Sequence, residues 1–238
     1  GGKLLMCGRF ALATAPEELR QLVDFSNRIN FPPRYNIAPT QPVSIIRAVP
    51  AREMALVQWG LVAPWLKPEQ VGDKSARPQI NARAETITEK PSFKNAFRHR
   101  RCLIPSDGFY EWDRSVGQPY RIYRADEQPF FMAAIWEIWN GADGSEIESC
   151  AIITTAANDR LSPIHHRMPA MITPAQAEDW LNAPETEAEK LLPFLGSAPE
   201  DDFTATPISK RVNKVVEDDA DLWVAHVEKA PPKQMDLL

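Results

Sequence analysis

Apolar and polar positions along the chain predict two short helices and seven strands. Leu19, Leu22 and Val23 form an apolar stripe at helical spacing, and Thr14-Ala15-Pro16-Glu17 ahead of them matches a capping box. A second capped helix is predicted from Thr173 to about Leu181. Segments rich in aromatic and β-branched residues predict strands at Val43–Arg47, Met54–Leu61, Pro119–Arg124, Pro129–Trp136, Glu148–Thr155, Pro169–Ile172 and Phe203–Pro207.

The connections between these elements indicate the fold class. Asn140–Gly144 is typical of a hairpin loop, and a proline-rich stretch runs from Phe31 to Pro42. Helices are too few for repeated βαβ units, so we predict an α+β fold. It would be a single domain with a mostly antiparallel, barrel-like β-sheet flanked by a few short helices. We expect residues 1–5 to be a leader or expression remnant, residues 6–228 the folded domain, and residues 229–238 a disordered tail.

Composition narrows the class of protein. The 238 residues can bury a sizeable core, and 44% hydrophobic with 25% charged residues is ordinary for a soluble globular protein. No run of eighteen apolar residues predicts a membrane span, and the first six residues are too short for a secretory signal. Three cysteines without close spacing favour a reducing cytoplasm.

Charge is distributed unevenly along the chain. The formal net charge is -5, but Lys74 to Arg124 holds eleven Lys and Arg against five Asp and Glu, a local charge of +6. Ile172 to Leu238 holds six against fourteen, a local charge of -8. A basic groove on an acidic protein is therefore possible, although charge alone favours a solvated, salt-bridged surface.

Four short segments place polar residues among glycine, proline and aromatic residues. They are Met6-Cys7-Gly8-Arg9-Phe10, Asn81-Ala82-Arg83-Ala84-Glu85-Thr86, Gly108-Phe109-Tyr110-Glu111-Trp112 and His165-His166-Arg167-Met168-Pro169. Taken singly, each has a structural explanation: a buried thiol, a turn cap, a strand residue facing water or a structural histidine.

Together the four segments resemble the SOS response-associated peptidase (SRAP) family. The match also includes Arg34–Pro39, Trp59-Gly60-Leu61 with Pro64-Trp65, and Val212-Asn213, and it runs in the family's order from Met6 to about Val227. The resemblance implies a protein that senses and processes abasic sites in single-stranded DNA. Its partner would be single-stranded DNA containing abasic sites, and it implies no cofactor and no metal.

The family mechanism depends on an N-terminal cysteine. Removal of residues through Met6 would leave Cys7 with a free α-amine beside its thiol. The amine forms a Schiff base with the aldehyde of an abasic site, and the thiol closes a thiazolidine ring. An α-amine of pKa about 7.7–8 is roughly one-tenth neutral at pH 7, whereas a lysine is neutral in well under a thousandth of molecules. Any residue retained before Cys7 would block this chemistry.

The resemblance assigns further roles position by position. Glu111 matches the catalytic glutamate, a general acid/base whose pKa aromatic neighbours can raise. His165 would assist sugar ring opening or crosslink reversal. If this segment is extended, the His165 and His166 rings point to opposite sides and only one enters the site. Asn81 would hold the Cys7 backbone or the opened sugar.

A second group of residues is expected to contact DNA. Arg9 and Arg83 would bind flanking phosphates through their planar guanidinium groups. The indole rings of Trp65 and Trp112 can stack on exposed bases. For Trp59, by contrast, we favour core packing. The complete predicted DNA-binding set is Arg9, Trp65, Arg83, Trp112, Thr155 and Arg167.

Other functions remain open on the sequence alone. The same Cys7 can serve an N-terminal-cysteine peptidase or amidohydrolase, and the chain can also be a non-catalytic single-stranded DNA-binding module. A zinc site is the weakest alternative, because Cys7, Cys102 and Cys150 lie far apart with no metal-binding spacing. We expect Cys102 and Cys150 to be buried thiols.

The last residues contain one more motif. Gln234, Met235, Asp236, Leu237 and Leu238 resemble the peptide that binds the bacterial replication sliding clamp, after a prolyl spacer. The alternative is a solvated terminus without a partner. We expect a cytoplasmic, nucleoid-associated monomer.

Overall fold

The computed structural model describes residues 7–71 and 78–226. The predicted leader, residues 1–5, lies outside the described residues. So do the predicted tail, residues 229–238, and the clamp-binding motif within it. The described residues fall within the predicted domain, residues 6–228.

Thirteen strands account for most of the regular structure of the described residues. They are β1 (Phe10–Leu12), β2 (Arg34–Ile37), β3 (Pro42–Arg47), β4 (Glu53–Trp59), β5 (Asn81–Arg83), β6 (Arg101–Ser106), β7 (Gly108–Asp113), β8 (Gln118–Arg124), β9 (Phe130–Asn140), β10 (Glu146–Ala156), β11 (Arg167–Pro169), β12 (Met171–Ile172) and β13 (Phe203–Pro207). The α-helices in the same residues are α1 (Pro16–Leu22), α2 (Pro91–His99) and α3 (Ala177–Asn182). Short 3-10 segments, the longest Glu185–Leu195, fill connections.

The strands form two sheets. In the larger sheet β10, β4, β3, β6 and β9 follow one another, and β9 pairs again with β10, which closes a five-stranded barrel. β5, β11 and β12 join the barrel strands from outside this ring. The second sheet has the order β13-β8-β7-β1-β2. Most pairs are antiparallel, so the predicted α+β, barrel-like fold is confirmed.

The barrel is held together by its apolar strands. β9 and β10 are buried along most of their length because both of their faces meet other elements. The predicted hairpin between them is confirmed, with the Glu146↔Asn140 pair next to its loop. Trp59 is fully buried in the core, as preferred from sequence, and its indole N–H donates to the Ile80 carbonyl at 3.0 Å.

Two local predictions are wrong, and one strand was not predicted. Thr14 does not cap α1, because its amide and hydroxyl both bind the Asp107 carboxylate and Ala15 takes the N-cap position. The proline-rich stretch contains β2, whose pairing with β1 cannot be detected from local composition. The strand predicted at Pro169–Ile172 is two strands, because the chain passes at Ala170 from pairing with β10 to pairing with β9.

Other local predictions hold. Thr173 and Gln176 form the predicted capping box. Cys102 and Cys150 are buried free thiols. Within residues 7–71 and 78–226, no helix is long and apolar enough to cross a membrane.

Candidate active site

Cys7 and Glu111 are brought together by pairing of β1 with β7. Phe10 lies opposite Phe109, and the Tyr110 amide donates to the Arg9 carbonyl at 3.0 Å, which carries the ladder back towards Cys7. The Cys7 backbone nitrogen donates to the Glu111 carboxylate at 2.6 Å, although 104 positions separate the two residues. The backbone nitrogen of Cys7 therefore contacts the predicted general acid/base.

Burial sets the protonation of this pair. Glu111 is only 3% exposed, and loss of hydration raises the pKa of its carboxyl to about 7, while hydrogen bonds from Cys7 act in the opposite direction. Burial, and then the charge of Glu111, raise the pKa of the Cys7 thiol well above its usual value. A carboxyl that titrates near neutrality can both accept and return a proton, which is the requirement for a general acid/base.

His165 lies on the other side of the same carboxylate. Its Nδ1 is 3.9 Å from Glu111 Oε1 and accepts from the Arg167 amide at 3.1 Å. Burial lowers the pKa of the imidazole, so His165 is neutral at pH 7. Its Nε2 is buried and has no hydrogen-bond partner among the described residues. Buried polar atoms are normally hydrogen-bonded, so this atom is suited to bind a ligand.

The condition under which the two histidine rings would point apart, an extended segment, is not met. His165 and His166 lie in a bend before β11 rather than in a strand, and their ring centroids are 4.4 Å apart. Only the His165 ring is buried beside Glu111, while His166 is exposed. One histidine enters the site, but backbone curvature and not strand alternation decides which.

The end of β10 gathers several other predicted residues. β5 runs parallel to it, with Asn81 opposite Ile152 and Arg83 opposite Thr154. β11 lies on its other edge, with Met168 opposite Thr155. The two pairings place Asn81, Arg83, Thr155 and Arg167 around one strand end, next to His165.

Arg167 is held by two groups at this strand end. Its guanidinium forms two hydrogen bonds with the Glu85 carboxylate, one of them at 2.9 Å, and a third with the Thr154 carbonyl at 2.5 Å. Its positive charge also lowers the pKa of the Cys7 thiol, against the larger effect of burial. Arg83, by contrast, has an exposed side chain.

Arg9 and Trp112 lie against the C-terminal segment of the described chain. The Arg9 guanidinium donates to Asn36 Oδ1 at 2.8 Å and to the Val212 carbonyl at 2.7 Å. Trp112 is buried, and its indole N–H donates to Asn213 Oδ1 at 2.8 Å. Because neighbouring side chains of a strand alternate, Trp112 lies on the opposite face of β7 from Glu111. Both predicted DNA contacts stay predictions, and in this conformation each group also has a structural partner.

Trp65 has a different environment. Its side chain is 55% exposed, in a turn closed by a hydrogen bond from the Leu66 amide to the Ala63 carbonyl at 3.1 Å. A large exposed indole is free to stack on a base, so the predicted role of Trp65 is compatible with its position.

Sequence reasoning missed three residues that shape the site. Asn36 anchors Arg9, and Glu85 holds Arg167. Arg114, in the turn after β7, lowers the pKa of both Glu111 and His165. Its charge opposes the larger effect of burial at Glu111 and adds to the effect of burial at His165. Asn36 and Glu85 lie inside the motifs already recognised, so motif membership was the usable signal. Among the described residues, no cluster of His, Cys, Asp and Glu is arranged to hold a metal ion.

The raised pKa of Glu111 makes a prediction about stability. A carboxyl whose pKa is raised on folding contributes stability below its unfolded pKa of 4.5, and that contribution is lost as pH rises through about 7. Glu111→Gln removes this loss. The free energy of unfolding of the variant, minus that of wild type, should therefore increase between pH 4.5 and pH 8 by on the order of 3 kcal/mol. Denaturant titrations of both proteins at the two pH values measure it, and a difference that stays constant with pH contradicts the raised pKa.

Comparison with known proteins gives consistent results. A family model described as SOS response associated peptidase (SRAP) matches residues 6–215. Abasic site processing protein YoaM of Bacillus subtilis is 37% identical over 224 residues, covering 91% of this chain and 97% of that protein. Abasic site processing protein YedK of Escherichia coli is 34% identical, covering 91% and 98%. A crystal structure of a Bacteroides thetaiotaomicron protein superposes with a TM-score of 0.82 at 28% identity, covering 93% of this chain and all of that one.

Proposed function

The chain belongs to the SOS response-associated peptidase family, and on that premise we propose that it processes abasic sites in single-stranded DNA through Cys7. The observation that carries the proposal is the 2.6 Å hydrogen bond from the Cys7 nitrogen to Glu111. The curated relatives named above are abasic site processing proteins, which supports the same substrate for this chain.

The proposed reaction begins when residues through Met6 have been removed. The α-amine of Cys7 adds to the aldehyde carbon of the opened abasic sugar, and loss of water from that adduct leaves a Schiff base. The Cys7 thiol then adds across the C=N bond, its sulfur to carbon and its proton to nitrogen, and closes a thiazolidine ring. The balance is one aldehyde and one aminothiol giving one ring and one water, with no oxidant or reductant.

The surrounding groups support each proton transfer. Glu111 contacts the attacking nitrogen and titrates near pH 7, so it can accept a proton from the amine and then deliver it to the departing hydroxyl. His165 is neutral, and its Nε2 has no hydrogen-bond partner among the described residues. It is therefore suited to form a hydrogen bond with the sugar hydroxyl that ring opening releases. No metal or cofactor is required by this scheme.

The backbone at Cys7 supports removal of the preceding residues. Its φ of 43° lies in the left-handed region, which costs a non-glycine residue on the order of 1–3 kcal/mol. A terminal amine has no φ constraint, so processing relieves this strain. The mature N-terminus is thus better suited to the site than the unprocessed chain.

A direct test uses a single-stranded oligonucleotide with one abasic site. Mature protein should form an adduct that survives denaturing electrophoresis, with a mass equal to the sum of protein and DNA less one water. An oligonucleotide with an intact base at the same position should form none. Hydrolysis of peptides without any adduct would instead favour the N-terminal-cysteine peptidase alternative, and reversible binding alone would favour the DNA-binding module.

Arg83 provides a prediction about binding. Its exposed guanidinium lies on β5 at the site, so Arg83→Ala should weaken binding of undamaged single-stranded DNA. The slope of log affinity against log salt should fall by about 0.7, because one phosphate contact is lost. Fluorescence anisotropy over a salt series measures the slope. Arg160→Ala is the matched control, since Arg160 is an exposed arginine paired with Asp201 at 2.8 Å; equal effects of the two variants would remove Arg83 from the interface.

A further inference from the structure

The solvent face of α2 carries a basic stripe. Lys94 and Arg98 lie on this face, and Lys90, the N-cap residue directly before the helix, precedes Lys94 by four positions; all three are exposed. The opposite face, formed by Phe93, Ala96 and Phe97, is buried against the core. Residues at this spacing lie on successive turns of one helix face, about 5–6 Å apart along the axis. The stripe is therefore a row of cations directed at solvent.

Ion pairs with acidic residues form only at the Arg98 end of the stripe, although the exposed Glu89 directly precedes Lys90. Arg98 lies 3.9 Å from Glu189, and the adjacent His99 lies 3.4 Å from Glu185. Both glutamates belong to the 3-10 segment Glu185–Leu195. Lys90 and Lys94 have no ion-pair partner within residues 7–71 and 78–226. The partial positive charge of the helix N-terminus adds to the field at Lys90.

The unneutralised end of the stripe adjoins the candidate active site. Gln79, two residues before β5, donates from its side chain to Ser92 in the first turn of α2 at 3.0 Å. The Lys90 amide donates to the Thr86 carbonyl at 3.0 Å, which ties the helix start to the segment that follows Arg83. Arg83, Lys90 and Lys94 therefore follow one another from the site to the first turns of α2. Of the two glutamates between them, Glu85 is paired with Arg167 and Glu89 is exposed.

We propose that Lys90 and Lys94 bind phosphates of the single-stranded DNA flanking the abasic site, so that the strand leaves the active site along α2. The path ends before Arg98, where the glutamates repel the backbone. Lysine acts as a point charge on a flexible stem, so this contact tolerates any sequence. The inference rests on the proposed function, because it takes Arg83 and the site as the start of the path.

The test compares Lys90→Gln, Lys94→Gln and the double variant with Arg98→Gln, which removes a cation from the same face of the same helix. Binding of single-stranded DNA is measured by fluorescence anisotropy over a salt series. We expect the double variant to lower the salt slope by about 1.4, at roughly 0.7 for each lost phosphate contact. Arg98→Gln should leave the slope at the wild-type value.

The position of the lesion sharpens the result. Two oligonucleotides are compared, one with the abasic site near its 5′ end and one with it near its 3′ end. Their undamaged flanks, each of about ten nucleotides, leave the site in opposite directions. The lysine variants should weaken binding to only one of the two, because α2 lies on one side of the site. Equal loss with both placements, or equal loss in Arg98→Gln, would show a diffuse charge effect and overturn the path.

The outcomes separate this inference from the proposed function. If wild type forms the abasic-site adduct but the lysine variants bind DNA as wild type does, the path along α2 is wrong and the proposed function stands. If wild type forms no adduct but the lysine variants lower the slope with undamaged DNA and Arg98→Gln does not, the path stands and the proposed chemistry fails. An effect confined to acidic peptides, with none on DNA, overturns the inference.

Discussion

Cys7→Ala should abolish the denaturation-resistant adduct with abasic DNA. The change removes the thiol that closes the ring and leaves only a reversible Schiff base. Cys7→Ser should behave almost the same, because a hydroxyl is a much weaker nucleophile than a thiol. Its transient Schiff base should be trapped when a hydride reductant is added. Denaturing electrophoresis and intact mass measurement with a single-abasic-site oligonucleotide provide the readout.

Two controls make the Cys7 result specific. Cys150→Ala removes a thiol that is equally buried, in β10, and should keep the wild-type adduct yield. A form with a residue that cannot be removed before Cys7 keeps the thiol but lacks the α-amine, and it should form no adduct. A normal yield from that blocked form would show attack by the thiol alone and would contradict the thiazolidine mechanism.

Glu111→Gln should slow adduct formation by about 10²–10⁴-fold, the usual contribution of a general acid/base. Glutamine preserves the side-chain shape and can still accept from the Cys7 nitrogen, but it cannot take a proton. DNA affinity should change little, because Glu111 is buried and lies on the opposite face of β7 from Trp112. Single-turnover kinetics at saturating DNA separate the rate from binding.

A second buried glutamate provides the control for this variant. Glu137 lies in β9 rather than in β1 or β7, is buried, and pairs with Arg100 at 2.8 Å. Glu137→Gln should keep the adduct rate of wild type once circular dichroism shows that it is folded. Equal kinetics of wild type and Glu111→Gln would remove Glu111 from the mechanism. The wild-type rate should also change with pH near 7, and that inflection should disappear in Glu111→Gln.

The relation between Glu111 and stability follows from the same burial. Loss of hydration raises the pKa of Glu111 to about 7, so the charged form that the proposed general base requires is disfavoured near neutral pH. The substitution that slows the reaction is therefore expected to stabilise the fold above neutral pH. Such opposition between stability and activity is common at functional sites.

Local features of the chain were determined by the sequence alone. The strand Phe203–Pro207 has the bounds predicted for it, and Thr173 and Gln176 form the predicted capping box. Each depends on side chains within a few residues of one another, where periodicity and turn chemistry act directly. The family resemblance also predicted Cys7, Glu111 and His165 as site residues, and the fold places the three next to one another.

Only the tertiary structure decided how these residues meet. Cys7 and Glu111 lie 104 positions apart and contact each other because β1 pairs with β7 rather than with another strand. Thr14 was expected to cap a helix but binds Asp107 instead, since a carboxylate 93 positions away satisfies both its amide and its hydroxyl. Strand pairing and buried hydrogen bonds depend on which distant segments of the chain pack against each other in the folded protein. The local sequence pattern does not contain that information.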